Sequence, residues 1–117
     1  MLFRSMVSDR AQLEPGTVVM AGAVINIGAR LGRGCIVNTG ATVDHDCFLA
    51  DGVHICPGAH LSGEVSIGAR TWFGVGAVAV QGIRIGADVT VGAGAVCLHD
   101  VRDGVTVAGV PAKEITR

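Results

Sequence analysis

An apolar residue falls on every sixth position from Val19 to Cys97. The set is Val19, Ile25, Leu31, Val37, Val43, Leu49, Ile55, Leu61, Ile67, Phe73, Ala79, Ile85, Val91 and Cys97, with no step skipped or inserted. Two residues before each stands a second row, from Thr17, Ala23 and Ala29 through Val89 and Ala95, nearly all small or β-branched. One residue earlier again comes a glycine slot, filled at 16, 22, 28, 34, 40, 52, 58, 76, 82 and 94 and broken at Asp46, Glu64, Arg70, Asp88 and Asp100. A helix cannot use this pattern, because a period of six drifts around a 3.6-residue turn. An ordinary strand alternates in twos and has no use for a glycine every sixth residue. The beat suits a short strand followed by a corner, where glycine relieves the backbone. Hexapeptide beats of this kind mark parallel β-helices. With three sixes to a coil, residues 18 apart stack at about 4.8 Å, the spacing between hydrogen-bonded strands.

The expected fold is therefore all-β: a parallel β-helix of a little under five coils over residues 16–99. Residues 1–15 read as a lead-in and residues 100–117 as a C-terminal extension, either one short strand with a tail or a short helix. The interior is a narrow prism of Val, Ile, Leu and Ala, in keeping with 50% hydrophobic but only 3% aromatic residues. So small a three-sided prism has broad faces and little interior, which favours threefold association.

Composition removes several function classes. The 9 basic and 10 acidic residues nearly cancel, and no basic patch interleaves with aromatics, so nucleic acid is not an expected partner. No apolar run reaches the roughly 20 residues that span a bilayer. The opening Met1–Met6 is too short for an export signal, so the chain reads as cytoplasmic. Cys35, Cys47, Cys56 and Cys97 form no CxxC pair and match no zinc framework, so they are expected as reduced thiols, with no metal. Cys35 and Cys47 fall in small, buried slots; Cys56 is expected to face outward.

Polar residues concentrate between Asn38 and Gly63, where three of the four histidines lie. His45, two after inward Val43, should face out at a corner, and an imidazole there can serve as a general base near neutral pH. Asp46 follows it in a slot where glycine is preferred, and Asp44 flanks it on the other side; either carboxylate can orient the ring. Gly63 is 18 residues beyond His45 and outside the glycine slot, so it should lie over the base with its N–H available to a developing oxyanion. Glu64 is 18 beyond Asp46 and should stack on it, close enough to tune the pair. His54 should face outward with Trp72 stacked over it. Asn38 also faces out. Val75 and Ala93, 18 apart, suit one groove along a prism edge. His60 and His99 read as surface residues.

The repeats, the run VDHDC…GVHI…GAHLSG and the closing AGVPAK resemble the left-handed β-helix acyltransferases. More narrowly they resemble the sugar O- and N-acetyltransferases of the sialic-acid and bacillosamine type, over about Val7 to Ile115. The resemblance implies a left-handed coil and a homotrimer using acetyl-coenzyme A, with active sites between subunits. It implies His45 as base, an acid at Asp46 raising its basicity, and an acetyl-binding backbone group at Gly63. It implies His54, Val75, Ala93 and Lys113 as coenzyme contacts, the lysine toward phosphate, and Asn38 as an acceptor contact. The acceptor implied is an amine or hydroxyl of a nucleotide-linked sugar. That family usually carries an N-terminal nucleotide-binding-like domain, and these 117 residues leave no room for it, so the expectation is either a protein that acts without it on another acceptor or the coil domain cut from a longer chain; the acceptor is left open.

Two other readings are compatible with the beat. A zinc enzyme like the γ-class carbonic anhydrases would need three metal histidines, and here His45, His54 and His60 all fall in one stretch. A non-catalytic trimerisation module would need only the coil. A covalent route through Cys56 has no activating neighbour in the sequence.

Overall fold

The computed structural model describes residues 4–116. Every element in it is a strand of two or three residues, and no helix is present among the described residues. The strands wind as a three-sided left-handed coil. Face one stacks Met6–Val7, Val24–Ile25, Thr42–Val43, His60–Leu61, Val78–Ala79 and Val96–Cys97. Face two stacks Gln12–Leu13, Arg30–Leu31, Phe48–Leu49, Ser66–Ile67 and Arg84–Ile85, with Val101 bridged to Ile85 above them. Face three stacks Val18–Val19, Ile36–Val37, His54–Ile55, Trp72–Phe73, Thr90–Val91 and Thr106–Ala108, with Lys113–Ile115 closing it antiparallel.

Register through the repeats is 18 residues, as in His54↔Trp72 and Thr42↔His60. Backbone hydrogen bonds run coil to coil, for example His54 N–H to Thr71 O at 3.0 Å and Cys56 N–H to Phe73 O at 2.9 Å. Every position of the six-residue beat from Val19 to Cys97 is buried, and so is the small row from Thr17 to Ala95. The small row also explains its own polar members. Thr17 and Thr71 donate their hydroxyls to the carbonyls of Gly32 and Gly86 at 2.8 and 2.7 Å, and Cys35 and Cys47 donate their thiols to Ala50 and Ser62 at 3.1 Å. A buried donor so satisfied costs little.

The coil is longer than the expected 16–99, and reaches six turns. Met6–Val7 and Gln12–Leu13 pair in register with the next coil, so residues 6–13 are the first two sides and no lead-in. Val7 and Leu13 continue the apolar beat backward, but Arg4 and Arg10 occupy the glycine slots there, which hid the continuation. At the other end two residues are dropped: Ile85 bridges Val101 and Thr90 pairs with Thr106, each 16 apart, and the winding then goes on. The tail is two strands, not a helix. Its turn caps face one, where Val96 N–H donates to Gly109 O at 3.0 Å and Ala112 N–H donates to Val96 O at 2.8 Å. The AGVPAK segment thus covers an otherwise open sheet edge.

Cys56 is the one cysteine misplaced by sequence reasoning: it is buried, not outward. Its side chain is short, and its face carries the longer Asn38, His54 and Trp72 around it. Burial raises the pKa of all four thiols, which keeps them protonated and poorly nucleophilic.

Candidate active site

His45 stands on the edge between faces one and two, where the chain turns from Thr42–Val43 into Phe48–Leu49. The corner is sharp because its third residue takes a left-handed backbone. At most corners of the prism that residue is glycine; here it is Asp46, with φ of 58°. A non-glycine residue in this conformation is strained, and such strain gathers at functional sites. The turn aims the Asp46 carboxylate at the ring: His45 Nδ1–H donates to Asp46 Oδ2 at 3.1 Å. Nε2 therefore carries the lone pair. Gly28, one coil below, leaves the space Asp46 occupies, since a Cβ there would overlap its carboxylate.

The His45 imidazole has its pKa raised above the ordinary value. The hydrogen bond to Asp46 is the largest cause, and the charges of Asp44, Asp46 and Glu64 add to it against partial desolvation. The base is thus more basic than a free histidine and stays solvent-accessible. Asp44, expected as a possible orienting acid, does not touch the ring. Its Oδ1 accepts from His45 N–H at 2.7 Å and from Asn26 Nδ2 at 3.0 Å. Those two bonds, the Asn26 bond first, hold the Asp44 carboxyl below its usual pKa. Asn26 is a neighbour that sequence reasoning missed. The 18-residue register, which places Asn26 under Asp44, was enough to find it.

Gly63 lies against the ring. A Cβ built at Gly63 would come within 2.7 Å of His45 Cε1 and 2.9 Å of Cδ2. Its φ is not left-handed, so the glycine is there for clearance and not for the turn. Glu64, in the left-handed slot above Asp46, has a φ of 61° and donates its N–H to His45 O at 2.9 Å.

A second cluster sits on face three. His54 and Trp72 stack with ring centroids 4.4 Å apart and planes tilted by 60°. Asn38 Oδ1 accepts from Thr39 N–H at 2.8 Å, which turns Nδ2 toward His54 Nε2 at 3.1 Å. Nε2 is then the acceptor and Nδ1 carries the proton. Burial lowers the His54 pKa, which favours that neutral form. Asn38 is thereby part of the His54 assembly. Val75 and Ala93 lie exposed on the edge between faces three and one, and Lys113 lies exposed on the capping strand.

Within one chain these residues form two groups. His45, Asp46 and Gly63 share the edge between faces one and two. Asn38, His54 and Trp72 lie on face three, directly across the prism from that edge. The three histidines of the zinc reading fall on an edge, on face three and on face one. Among the described residues no three His, Cys, Asp or Glu side chains converge. No helix of the described residues is long and apolar enough to cross a membrane.

No protein-family model matches the chain, and no curated protein is similar to it. Solved structures are. The acetyltransferase domain of PglB from Neisseria gonorrhoeae is 53% identical over 95% of this chain, with a TM-score of 0.93, and one such structure is a complex with acetyl coenzyme A. PerB from Caulobacter crescentus, solved with CoA and GDP-perosamine, is 45% identical over 96% of the chain with a TM-score of 0.91. WeeI from Acinetobacter baumannii is 28% identical over 92%, with a TM-score of 0.67. The chain spans 54% of the length of the PglB and PerB structures and 56% of WeeI.

Proposed function

Since the chain belongs to the hexapeptide-repeat acyltransferases, we propose that it moves acetyl from acetyl-coenzyme A to an amine of a nucleotide-linked sugar by direct transfer. The observation that carries this reading is the His45–Asp46–Gly63 arrangement, a base with its proton fixed on Nδ1 and a bare backbone beside its free nitrogen.

His45 Nε2 takes the proton of the acceptor nitrogen as it attacks the thioester carbon. Asp46 holds the ring and stabilises the imidazolium. The Gly63 N–H offers a donor to the oxyanion, where one such bond typically contributes about 10²–10³-fold. The nitrogen–carbon bond forms, the carbon–sulfur bond breaks, and His45 returns the proton to the thiolate. The coenzyme contacts are His54, Val75, Ala93 and Lys113, with Asn38 supporting His54 as well as facing the acceptor. PglB and PerB, whose structures hold acetyl coenzyme A, or CoA with GDP-perosamine, support the donor and acceptor classes. The reaction belongs in the cytoplasm, with the supply of acetyl-coenzyme A.

Because His45 and face three lie on opposite sides of one chain, this reading completes the site between subunits of a homotrimer. If face two of one protomer meets face three of the next, the edge with His45 borders the neighbour's edge with Val75 and Ala93. Phe48 on face two and Trp72 on face three, exposed by 43% and 50%, supply apolar surface for that contact.

A screen of acetyl-coenzyme A with sugar acceptors tests the reading, following free thiol. Turnover with a nucleotide-linked amino sugar, lost in His45→Ala while coenzyme binding survives, is the expected result. Thiol release from no acceptor in the screen would overturn it.

A further inference from the structure

Asp44 uses only one of its two carboxylate oxygens. Oδ1 is pinned by Asn26 Nδ2 at 3.0 Å and by His45 N–H at 2.7 Å. Oδ2 has no partner among the described residues. Two bonds to one oxygen fix the carboxylate plane, so the second oxygen is held in place next to the base. Its surroundings are one-signed. From the rows at 26–28 to those at 80–82, this edge carries Asp44, Asp46 and Glu64 and no lysine or arginine. Asp46 is engaged with the ring and the Glu64 carboxylate is fixed by no hydrogen bond among the described residues, so Asp44 is the anion beside His45 whose carboxylate is pinned through one oxygen with the other left over.

We propose, resting on the transferase reading above, that Asp44 Oδ2 docks the acceptor's amine and makes this site select nitrogen over oxygen nucleophiles. An amino sugar reaches the enzyme largely as its ammonium, and an ionised carboxylate attracts that cation where it does nothing comparable for a neutral hydroxyl. The bonds from Asn26 and His45 N–H also keep Asp44 ionised. The docked ammonium gives one proton to water. The freed lone pair then attacks the thioester carbon, the second proton passes to His45 Nε2, and His45 protonates the departing thiolate. Asp44 is a carboxylate at the start and at the end.

The test is Asp44→Asn, which keeps an oxygen for Asn26 and the His45 N–H and removes the charge. It is assayed with acetyl-coenzyme A and two acceptors, GDP-perosamine and the same nucleotide sugar carrying a hydroxyl in place of its amine. The KM for the amino sugar is expected to rise at least tenfold, the KM for acetyl-coenzyme A to stay within twofold, and the preference for amine over hydroxyl to fall with the first. Asp44→Glu, which keeps the charge one methylene away, is expected to raise the amino-sugar KM by less than Asn does, and it serves alone if the Asn variant does not fold. An unchanged amino-sugar KM in both variants, whatever happens to kcat, would overturn the proposal. Wild-type enzyme that acetylates the hydroxyl and not the amine would overturn it while leaving acetyl transfer standing. Wild-type enzyme inert toward both acceptors would remove both readings together.

Discussion

Gly63 lies so close over the His45 imidazole that a single added methyl group would overlap the ring. The contact joins two residues 18 positions apart through one coil of the prism. A ring obliged to tilt away from residue 63 loses its aim at the acceptor and narrows the approach to the Gly63 N–H. Gly63→Ala is therefore expected to lower kcat by about 10²-fold, since small displacements of a catalytic group carry penalties of that size. Steady-state kinetics alongside a melting curve checks this. The melting temperature should hold within a few degrees, because residue 63 is outside the left-handed slot.

The protonation of His45 makes its own prediction. Catalysis needs the neutral ring, and the ring's pKa is raised, so the acid limb of the pH–rate profile should lie above the ordinary histidine value of about 6.5. The hydrogen bond that the ring donates to Asp46 is the largest cause. Asp46→Asn should move that limb to lower pH while reducing the plateau. Glu64→Gln should move it the same way by less, since Glu64 acts only through charge and is the smallest contributor. The sign for stability is the reverse of an acid's: this group stabilises the fold below its unfolded pKa, and the contribution fades as pH rises through the folded value. Profiles of kcat/KM for the three proteins decide the matter, and a limb that stays put in Asp46→Asn would contradict the assigned contact.

Asp46 also sets activity against stability. It holds a left-handed φ of 58° in a slot that glycine fills at most corners of the prism. Asp46→Gly relieves that strain, on the order of 1–2 kcal/mol for a residue in the left-handed region, against roughly 0.5–1 kcal/mol of extra entropy that glycine loses on folding. The variant should melt at the same temperature as wild type or slightly higher, with kcat lowered at least tenfold. A variant that is both less stable and fully active would show that Asp46 serves the coil and not the base.

Most of the coil was legible because its beat is set by the geometry of one short strand and one corner. Leu49 and Ile67 are buried for the same reason, one coil apart, and any unbroken stretch of the beat predicts them. The ends were not legible in the same way. Val7 and Leu13 keep the apolar positions but lose glycine, and past Cys97 a sixteen-residue coil breaks the count. Inward burial follows from period, so Phe73 and Cys97 were placed correctly. The shielding of Cys56 depends on the size of its neighbours, which period does not encode. The site divides similarly. Stacking at 18 residues foretold His45 with Gly63 and His54 with Trp72. Which acid holds the ring turned on the corner's φ, which aims Asp46 at the imidazole and leaves Asp44 to Asn26.

The His54–Trp72 stack faces away from His45 in the same chain, and loss of the imidazole should weaken coenzyme binding without touching the base. His54→Ala is expected to raise the Kd for coenzyme A about tenfold, the scale of one aromatic stack with one hydrogen bond. Calorimetry on His54→Ala and His45→Ala separates the two roles, because His45→Ala should bind nearly as wild type. Equal loss in both would show that His45 holds the coenzyme as well, and that the two roles are not separate.

Shared sites make a sharper demand. If His45 works against the face of a neighbouring subunit, a protein lacking His45 and another lacking His54 each retain what the other has lost. Mixed trimers from His45→Ala and His54→Ala then contain interfaces of four kinds: those lacking only the base, those lacking only His54, those lacking both, and those with both histidines intact. For random assembly, each interface draws its base-bearing edge and its coenzyme-bearing face from different protomers, so about a quarter of the sites are restored at equal mixing. With acetyl-coenzyme A kept below its Kd, unfolding and refolding the two variants together should therefore return activity toward about a quarter of the wild-type value, while His45→Ala refolded alone stays inactive and His54→Ala refolded alone keeps about a tenth. Activity that never exceeds the sum of the separate variants would mean that each chain carries its whole site, and would overturn the shared-site reading.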